Sequence, residues 1–249
     1  AESEVAAINM VYGAASTGKK VITSSSSPGI SLKLEGISYL AGAELPAVIV
    51  NVVRGGPGLG TIQPSQADYF QAVKGGGHGD YKLYVLAPSS AQEMSDFVQD
   101  AFEIAFKYRN PVMILSDGLI GQMMEKVVLR EQLPRLTDAE VIAQNDDWAV
   151  TGKTNRKRNI ITSLDLLAEK MEAHVRKLMK KYDRMEQEDL RYETFNCEDA
   201  EYLFVAYGSS ARIAQKAVQL AREKGIKAGL LRPITLFPFP KQQLFELAD

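Results

Sequence analysis

The stretch AVIVNVVRGGPGLG, residues 47–60, opens with seven positions that are apolar except for Asn51, and then breaks into an arginine and a glycine-rich loop. A short β-branched run closed by a turn signal reads as a fully buried strand. Two more such runs follow, YKLYVLA at 81–87 and PVMILSD at 111–117, with the amphipathic SAQEMSDFVQDAFEIAFKYR at 90–109 between them as a long helix. Upstream, KKVIT (19–23) reads as a strand, SSSSPG (24–29) as a loop and ISLKLEGISYLAG (30–42) as a helix, while ADYFQAV (67–73) is a short one. Apolar strands alternating with helices call for a parallel sheet covered on both faces. Residues 1–130 are therefore expected to form a doubly wound, mostly parallel α/β domain.

The chain begins inside an element: AESEVAAINMVYGAA has helical period and is expected to close at Gly13. Residues 131–197 change character, with the basic patch NRKRN (155–159) and a densely charged helical pattern from Leu164 to Tyr192, and read as a connecting segment. After Cys197 the α/β grammar returns. EYLFVAYG (201–208) is a strand, SSARIAQKAVQLAREKG (209–225) a helix capped by serine and ended by Gly225, and IKAGLLRPITLFPFP leads into a last helix start. Residues 198–249 thus make a second, smaller α/β domain. Residue 1 is not Met and the last helix stops without a cap, so flanking residues are expected beyond both ends.

Composition narrows the functions. The 249 residues carry 29 Lys and Arg against 31 Asp and Glu, a net charge of −2, which offers no basic field for a phosphate backbone. Arg156, Lys157 and Arg158 are soon balanced by acids and lack an aromatic platform, so nucleic acid is not an expected partner. One cysteine and two histidines cannot build a zinc, disulfide or iron–sulfur centre within the chain. No apolar run approaches a membrane span and no secretory signal opens the chain, which reads as cytoplasmic.

Two phosphate motifs fail on inspection. GAASTGK (13–19) has the glycine spacing of a phosphate loop but is followed by Lys20 where magnesium needs a hydroxyl, and it leaves a helix instead of a strand. GGPGLG (55–60) would need glycine at position 61, which is Thr61, and no acid follows at the distance a dinucleotide ribose requires. What remains is a glycine loop at the carboxyl end of a strand, where open α/β sheets bind ligands. Arg54 opens it. An arginine emerging from a buried strand needs an anion, either an internal acid or a ligand carboxylate, and the adjacent Gly55 and Gly56 allow close approach. Ser27, ahead of Pro28 at a helix start, is a weaker pocket candidate, as are His78 and Asp80 in GGGHGD (75–80). Glu4 is an acid on an otherwise apolar helical segment.

Glu4 followed by Ala6, Ala7 and Gly13, then TSSSSPGISL, then VIVNVVRGGPGLGTIQPSQADYFQAVKGGGHGD, resembles the pyrimidine-binding domain of the alpha subunit of 2-oxoacid:ferredoxin oxidoreductases. GLLRPITLFPFP is similar to that family's transketolase C-terminal-like domain, and GGPGLGTIQPSQADYF looks most like the branched-chain, 2-oxoisovalerate type. The resemblance implies oxidative decarboxylation of a 2-oxoacid to an acyl-CoA through thiamine diphosphate. It implies that Glu4 hydrogen-bonds the cofactor's aminopyrimidine ring, favouring the imino tautomer whose exocyclic nitrogen removes the thiazolium proton. It implies that Arg54 reaches the substrate carboxylate. The 54–66 loop holds no second cation, which favours a monocarboxylate over 2-oxoglutarate.

The family's YPITPS-form loop is missing ahead of Glu4, so part of the active-site wall is expected to lie outside these residues, and the second domain is expected to stop before its last strands. The family's GDG magnesium motif is also missing. Magnesium and the diphosphate half of the cofactor are therefore expected on a beta subunit and iron–sulfur clusters on a further, gamma-type subunit, with coenzyme A as co-substrate and ferredoxin as electron acceptor. Two rival readings are a lipoamide-linked 2-oxoacid dehydrogenase component and a non-catalytic scaffold subunit.

Overall fold

The computed structural model describes residues 1–152 and 156–248. Asn155, the first residue of the NRKRN patch, lies outside them.

Five strands form the main sheet: β1 (Ile22–Ser25), β2 (Ala47–Val53), β3 (Tyr84–Leu86), β4 (Pro111–Asp117) and, from much later in the chain, β8 (Thr235–Phe237). Their spatial order is β1-β2-β4-β3-β8, parallel throughout except for the antiparallel edge pair β3–β8. Strands β3 and β4 are buried at every position and β2 at every position but Val52, as runs without alternation require when both faces are covered.

One face is covered by α1 (Glu4–Ser16) and α2 (Ser27–Gly42), where Ile8, Ile30, Ile37 and Leu40 meet Ile49, Val85 and Met113. The other is covered by α4 (Ala91–Tyr108) and the connecting helix α7 (Ala168–Glu188), where Phe97, Ile104, Leu178 and Met185 meet Val48, Leu86 and Ile114. Short helices α3 (Tyr69–Lys74), α5 (Gly118–Gln122) and α6 (Asp138–Gln144) fill the connections. The small unit is a sheet of order β5-β7-β6, made of β5 (Tyr192–Phe195), β6 (Tyr202–Val205) and β7 (Ala228–Pro233). It is backed by α8 (Gly208–Glu223) and followed by α9 (Lys241–Ala248).

Several local readings shift. Helix α1 runs through Gly13, whose position faces open space, and ends where Gly18 takes φ +79°. Strand β1 takes in two of the four serines, and α2 starts at Ser27, with Ser26 as its extended N-cap and Pro28 in its first turn. No serine caps α8: Ser209 Oγ instead donates to Asp117 Oδ2 at 2.5 Å. The small sheet draws β5 from within the charged segment 131–197, and β8 leaves it for the main sheet. Arg156 is a local brace, 2.5 Å from Asp146 and donating to the Ala149 carbonyl at 3.1 Å. No described helix is long and apolar enough to cross a membrane.

Candidate functional site

The carboxyl ends of β1 and β2 meet the start of α2, and a compact polar knot joins them. Asn51, fully buried inside an apolar strand, accepts from the Ser27 amide at 3.1 Å and donates to Asp68 Oδ2 at 3.0 Å. Ser27 Oγ donates to the same Asp68 oxygen at 2.6 Å and accepts from the Arg54 amide at 3.1 Å. A buried amide side chain is tolerated only when satisfied, and here its bonds tie the helix start to the strand end.

Beyond β2 the glycine loop is pinned at its base. Gly55 N donates to the Gln63 carbonyl at 3.0 Å and Thr61 N to the Gly55 carbonyl at 2.8 Å. Gly60, at φ +69°, passes so close to that carbonyl that a Cβ would stand 1.8 Å from it. The Arg54 side chain folds under this loop and donates from Nη2 to the Leu59 carbonyl at 2.9 Å. Its Nε is buried without a partner, and among the described residues no carboxylate pairs with the guanidinium. Ser27, Pro28, Ser31, Arg54, Leu59 and Asp68, with Gly55, Gly56 and Gly58, line a cavity of about 410 Å³.

Glu4 lies half-buried in the first turn of α1, behind the N-cap Ser3, whose hydroxyl accepts from Ala6 N at 3.4 Å. Helix α1 crosses α2 closely: a Cβ on Gly36 would stand 2.5 Å from Ile8 Cγ2. The crossing sets the Glu4 carboxyl against Gly29, where a Cβ would come 3.1 Å from Glu4 Oε1 and 2.1 Å from Ser25 Oγ. Glu4 and Ser27 therefore address the same first turn of α2. Among the described residues the Glu4 carboxyl takes no side-chain hydrogen bond or ion pair.

One turn further along α2 stands Lys33, 2% exposed, donating to Thr23 Oγ1 at 2.8 Å and the Ser24 carbonyl at 3.1 Å. Burial pushes its ammonium below the ordinary lysine range, and the Glu4 charge offsets part of that shift. Reasoning from sequence passed over Lys33, Asn51 as an anchor, and Asp68. The signal for Lys33 was its helical spacing, since Ile30, Lys33 and Ile37 fall on one face.

His78 and Asp80 do not join this site. Their loop precedes β3, and the loop before a parallel strand lies at the sheet's amino edge, opposite the ends of β1 and β2. Gly77 packs against the middle of α2, where a Cβ would stand 2.3 Å from the Leu34 carbonyl. His78 and Asp80 are exposed and line a separate cavity of about 590 Å³ with Tyr39, Met171 and His174, whose Nε2 lies 2.7 Å from the Gly42 carbonyl. The GAASTGK stretch is the carboxyl end of α1, which turns carbonyls instead of amides toward a would-be phosphate. Among the described residues no cluster of His, Cys, Asp or Glu could hold a metal ion.

Residues 1–194 match the family model for the thiamine diphosphate-binding domain of pyruvate flavodoxin/ferredoxin oxidoreductases, and residues 200–249 match core domain II of pyruvate:ferredoxin oxidoreductase. The whole chain is 55% identical to the ketoisovalerate oxidoreductase subunit VorB of Methanothermobacter thermautotrophicus, spanning 69% of that protein. It is 39% identical, over 96% of its length and 68% of the relative's, to the 2-oxoglutarate synthase subunit KorA of Archaeoglobus fulgidus. Among solved structures, it superposes along its whole length on 2-oxoglutarate:ferredoxin oxidoreductase from Magnetococcus marinus, determined with 2-oxoglutarate, coenzyme A and succinyl-CoA bound. The TM-score is 0.82 at 26% identity, and the chain spans 47% of that polypeptide, about half.

Proposed function

The chain belongs to the thiamine diphosphate-binding family of 2-oxoacid:ferredoxin oxidoreductases, as an alpha-type subunit, and from that membership we propose that it serves the oxidative decarboxylation of 2-oxoisovalerate to its acyl-CoA. The observation that carries the reading is Arg54: a guanidinium without a carboxylate partner in a cavity whose far wall, α2, is shared with Glu4. Its planar fork suits a carboxylate, and among the described residues only its Nη2 is engaged, by the Leu59 carbonyl.

Glu4 fits the cofactor's pyrimidine ring. Its carboxyl is half-buried, engages no donor among the described residues, and lies against Gly29, where a Cβ would stand 3.1 Å from Oε1. Bound there, thiamine diphosphate supplies the nucleophilic carbon and the electron sink for decarboxylation. Glu4 holds or releases a proton at the ring nitrogen, and Arg54 holds the substrate carboxylate. Ser27, through Asp68 and Asn51, fixes the helix start between them, while Gly55 and Gly56 line the cavity beside Arg54.

On this reading a beta subunit supplies magnesium and the diphosphate half of the site, and a gamma-type subunit completes the complex. Iron–sulfur clusters on partners pass electrons to ferredoxin, and coenzyme A takes the acyl group. Nucleic acid and membrane have no part, and the setting is cytoplasmic, where ferredoxin and coenzyme A work.

The test is viologen-dye reduction by the native complex with coenzyme A, thiamine diphosphate and each of 2-oxoisovalerate, 2-oxoglutarate and pyruvate. Reduction without lipoamide, fastest on 2-oxoisovalerate, is expected. A lipoamide requirement transfers the chain to the dehydrogenase class, and inertness of a fully loaded complex leaves a scaffold.

A further inference from the structure

The loop that carries Arg54 also carries an apolar group that folding leaves in water. Leu59 is 81% exposed, lines the same cavity as the guanidinium, and is held by its own carbonyl, which accepts from Arg54 Nη2 at 2.9 Å. The backbone that bears this isobutyl side chain is thereby tied to the cation, and both line one cavity. Cation and apolar group side by side are what an aliphatic carboxylate needs, with one end to pair and the other to bury.

The charges of the loop point the same way. From residue 54 to residue 68 the ionisable groups are Arg54 and Asp68, and Asp68 is already the acceptor for Ser27 and Asn51. A substrate with a second carboxylate would find no other cation on this loop and would share the cavity with the Asp68 carboxyl. Ile62 supplies a contrast within the same loop: it is exposed to a similar degree, 87%, but does not line the cavity.

Resting on the assignment of Arg54 to the substrate carboxylate, we propose that Leu59 is a specificity residue that receives the branched aliphatic side chain of the 2-oxoacid. It contributes to choice among oxoacids and little to the chemistry they share. Pro28, at the start of α2, adds a second apolar side chain to the same cavity.

The experiment compares kcat/KM for 2-oxoisovalerate and for pyruvate in the native complex carrying wild-type chain, Leu59→Ala, Ile62→Ala or Arg54→Met. Leu59→Ala is expected to lower kcat/KM for 2-oxoisovalerate about tenfold, chiefly through KM, while pyruvate changes less than about twofold. Ile62→Ala is expected to leave the ratio of the two unchanged. An equal fall on both substrates in Leu59→Ala, or an equal change of ratio in Ile62→Ala, overturns the proposal. If the ratio holds in Leu59→Ala while Arg54→Met still raises both KM values, Leu59 loses its role and the carboxylate assignment stands. If wild type oxidises neither acid, the functional reading falls, and the Leu59 assignment with it.

Discussion

At the amino edge of the main sheet, Glu44 sits between α2 and β2 and receives two lysines of α7, Lys177 and, at 3.4 Å, Lys181. Burial alone would raise the Glu44 carboxyl, but the Lys177 hydrogen bond and the Lys181 charge outweigh it and hold it below the ordinary range. Arg109 donates to the Glu44 carbonyl at 3.2 Å and stacks 4.4 Å from the Trp148 ring. At the carboxyl edge, Arg54 has only a backbone carbonyl and Glu4 has no partner among the described residues. Both edges carry buried or half-buried charge, yet one is neutralised by the chain's own connecting helix and the other is left open. Internal pairing marks the edge that holds the fold together, and the leftover charges make the other edge the candidate for ligands.

The sharpest way to break this contrast is Glu4→Gln. The fold is expected to persist and turnover of the native complex to fall about 10²- to 10³-fold, as for loss of a proton-handling group. Undiminished turnover would make Glu4 an ordinary helix-start acid. Arg54→Met comes next: the half-saturating concentration of 2-oxoisovalerate should rise about tenfold to a hundredfold for loss of a charge-assisted pair, and steady-state kinetics that match wild type would return Arg54 to a structural role.

The amino edge predicts effects on stability. Burial pushes Lys181 down to about 8, against an ordinary value of 10.5, with Glu44 opposing. The unfolded chain therefore binds more protons than the native one between those values, and stability should climb as pH rises through the window, by at most about 3 kcal/mol. Lys181→Met should flatten the climb in urea titrations taken across it, and parallel curves for the two proteins would refute the assignment. Lys177 is 63% exposed at its side chain, so Lys177→Met should cost less than about 1 kcal/mol and less still in high salt. A larger loss would mean that the amino edge is drier than its geometry implies.

The pattern of residues carried the layered α/β architecture well, because β2 and β4 are long enough and apolar enough to announce burial on both faces. It carried less of what depends on partners distant in sequence. Strand β8 has three residues and pairs with a strand some 150 positions earlier, and β5 is mostly exposed and reads as part of a charged segment. At the candidate site, Arg54 stands out in the sequence because a cation at a strand end is costly, and the structure places Ser27, Gly55 and Gly56 in the same cavity. His78 and Asp80 lie apart from Arg54, in another cavity, and residue type does not reveal which edge of a sheet a loop occupies. Lys33 escaped notice because lysines on helices are ordinarily exposed, and its partners, Thr23 and the Ser24 carbonyl, lie on β1.

The junction of the two sheets has a mechanical meaning. Between β7, in the small sheet, and β8, in the large one, stands Ile234 alone, its amide donating to the Arg191 carbonyl at 3.0 Å and its carbonyl accepting from Ala87 at 2.8 Å. One residue pinned from both sides is no swivel. Together with the Arg232–Glu93 ion pair and the Ser209–Asp117 hydrogen bond, it couples the small sheet to the Val85–Phe237 and Leu86–Thr235 pairings, so the two sheets are joined at several points instead of hanging from one thread.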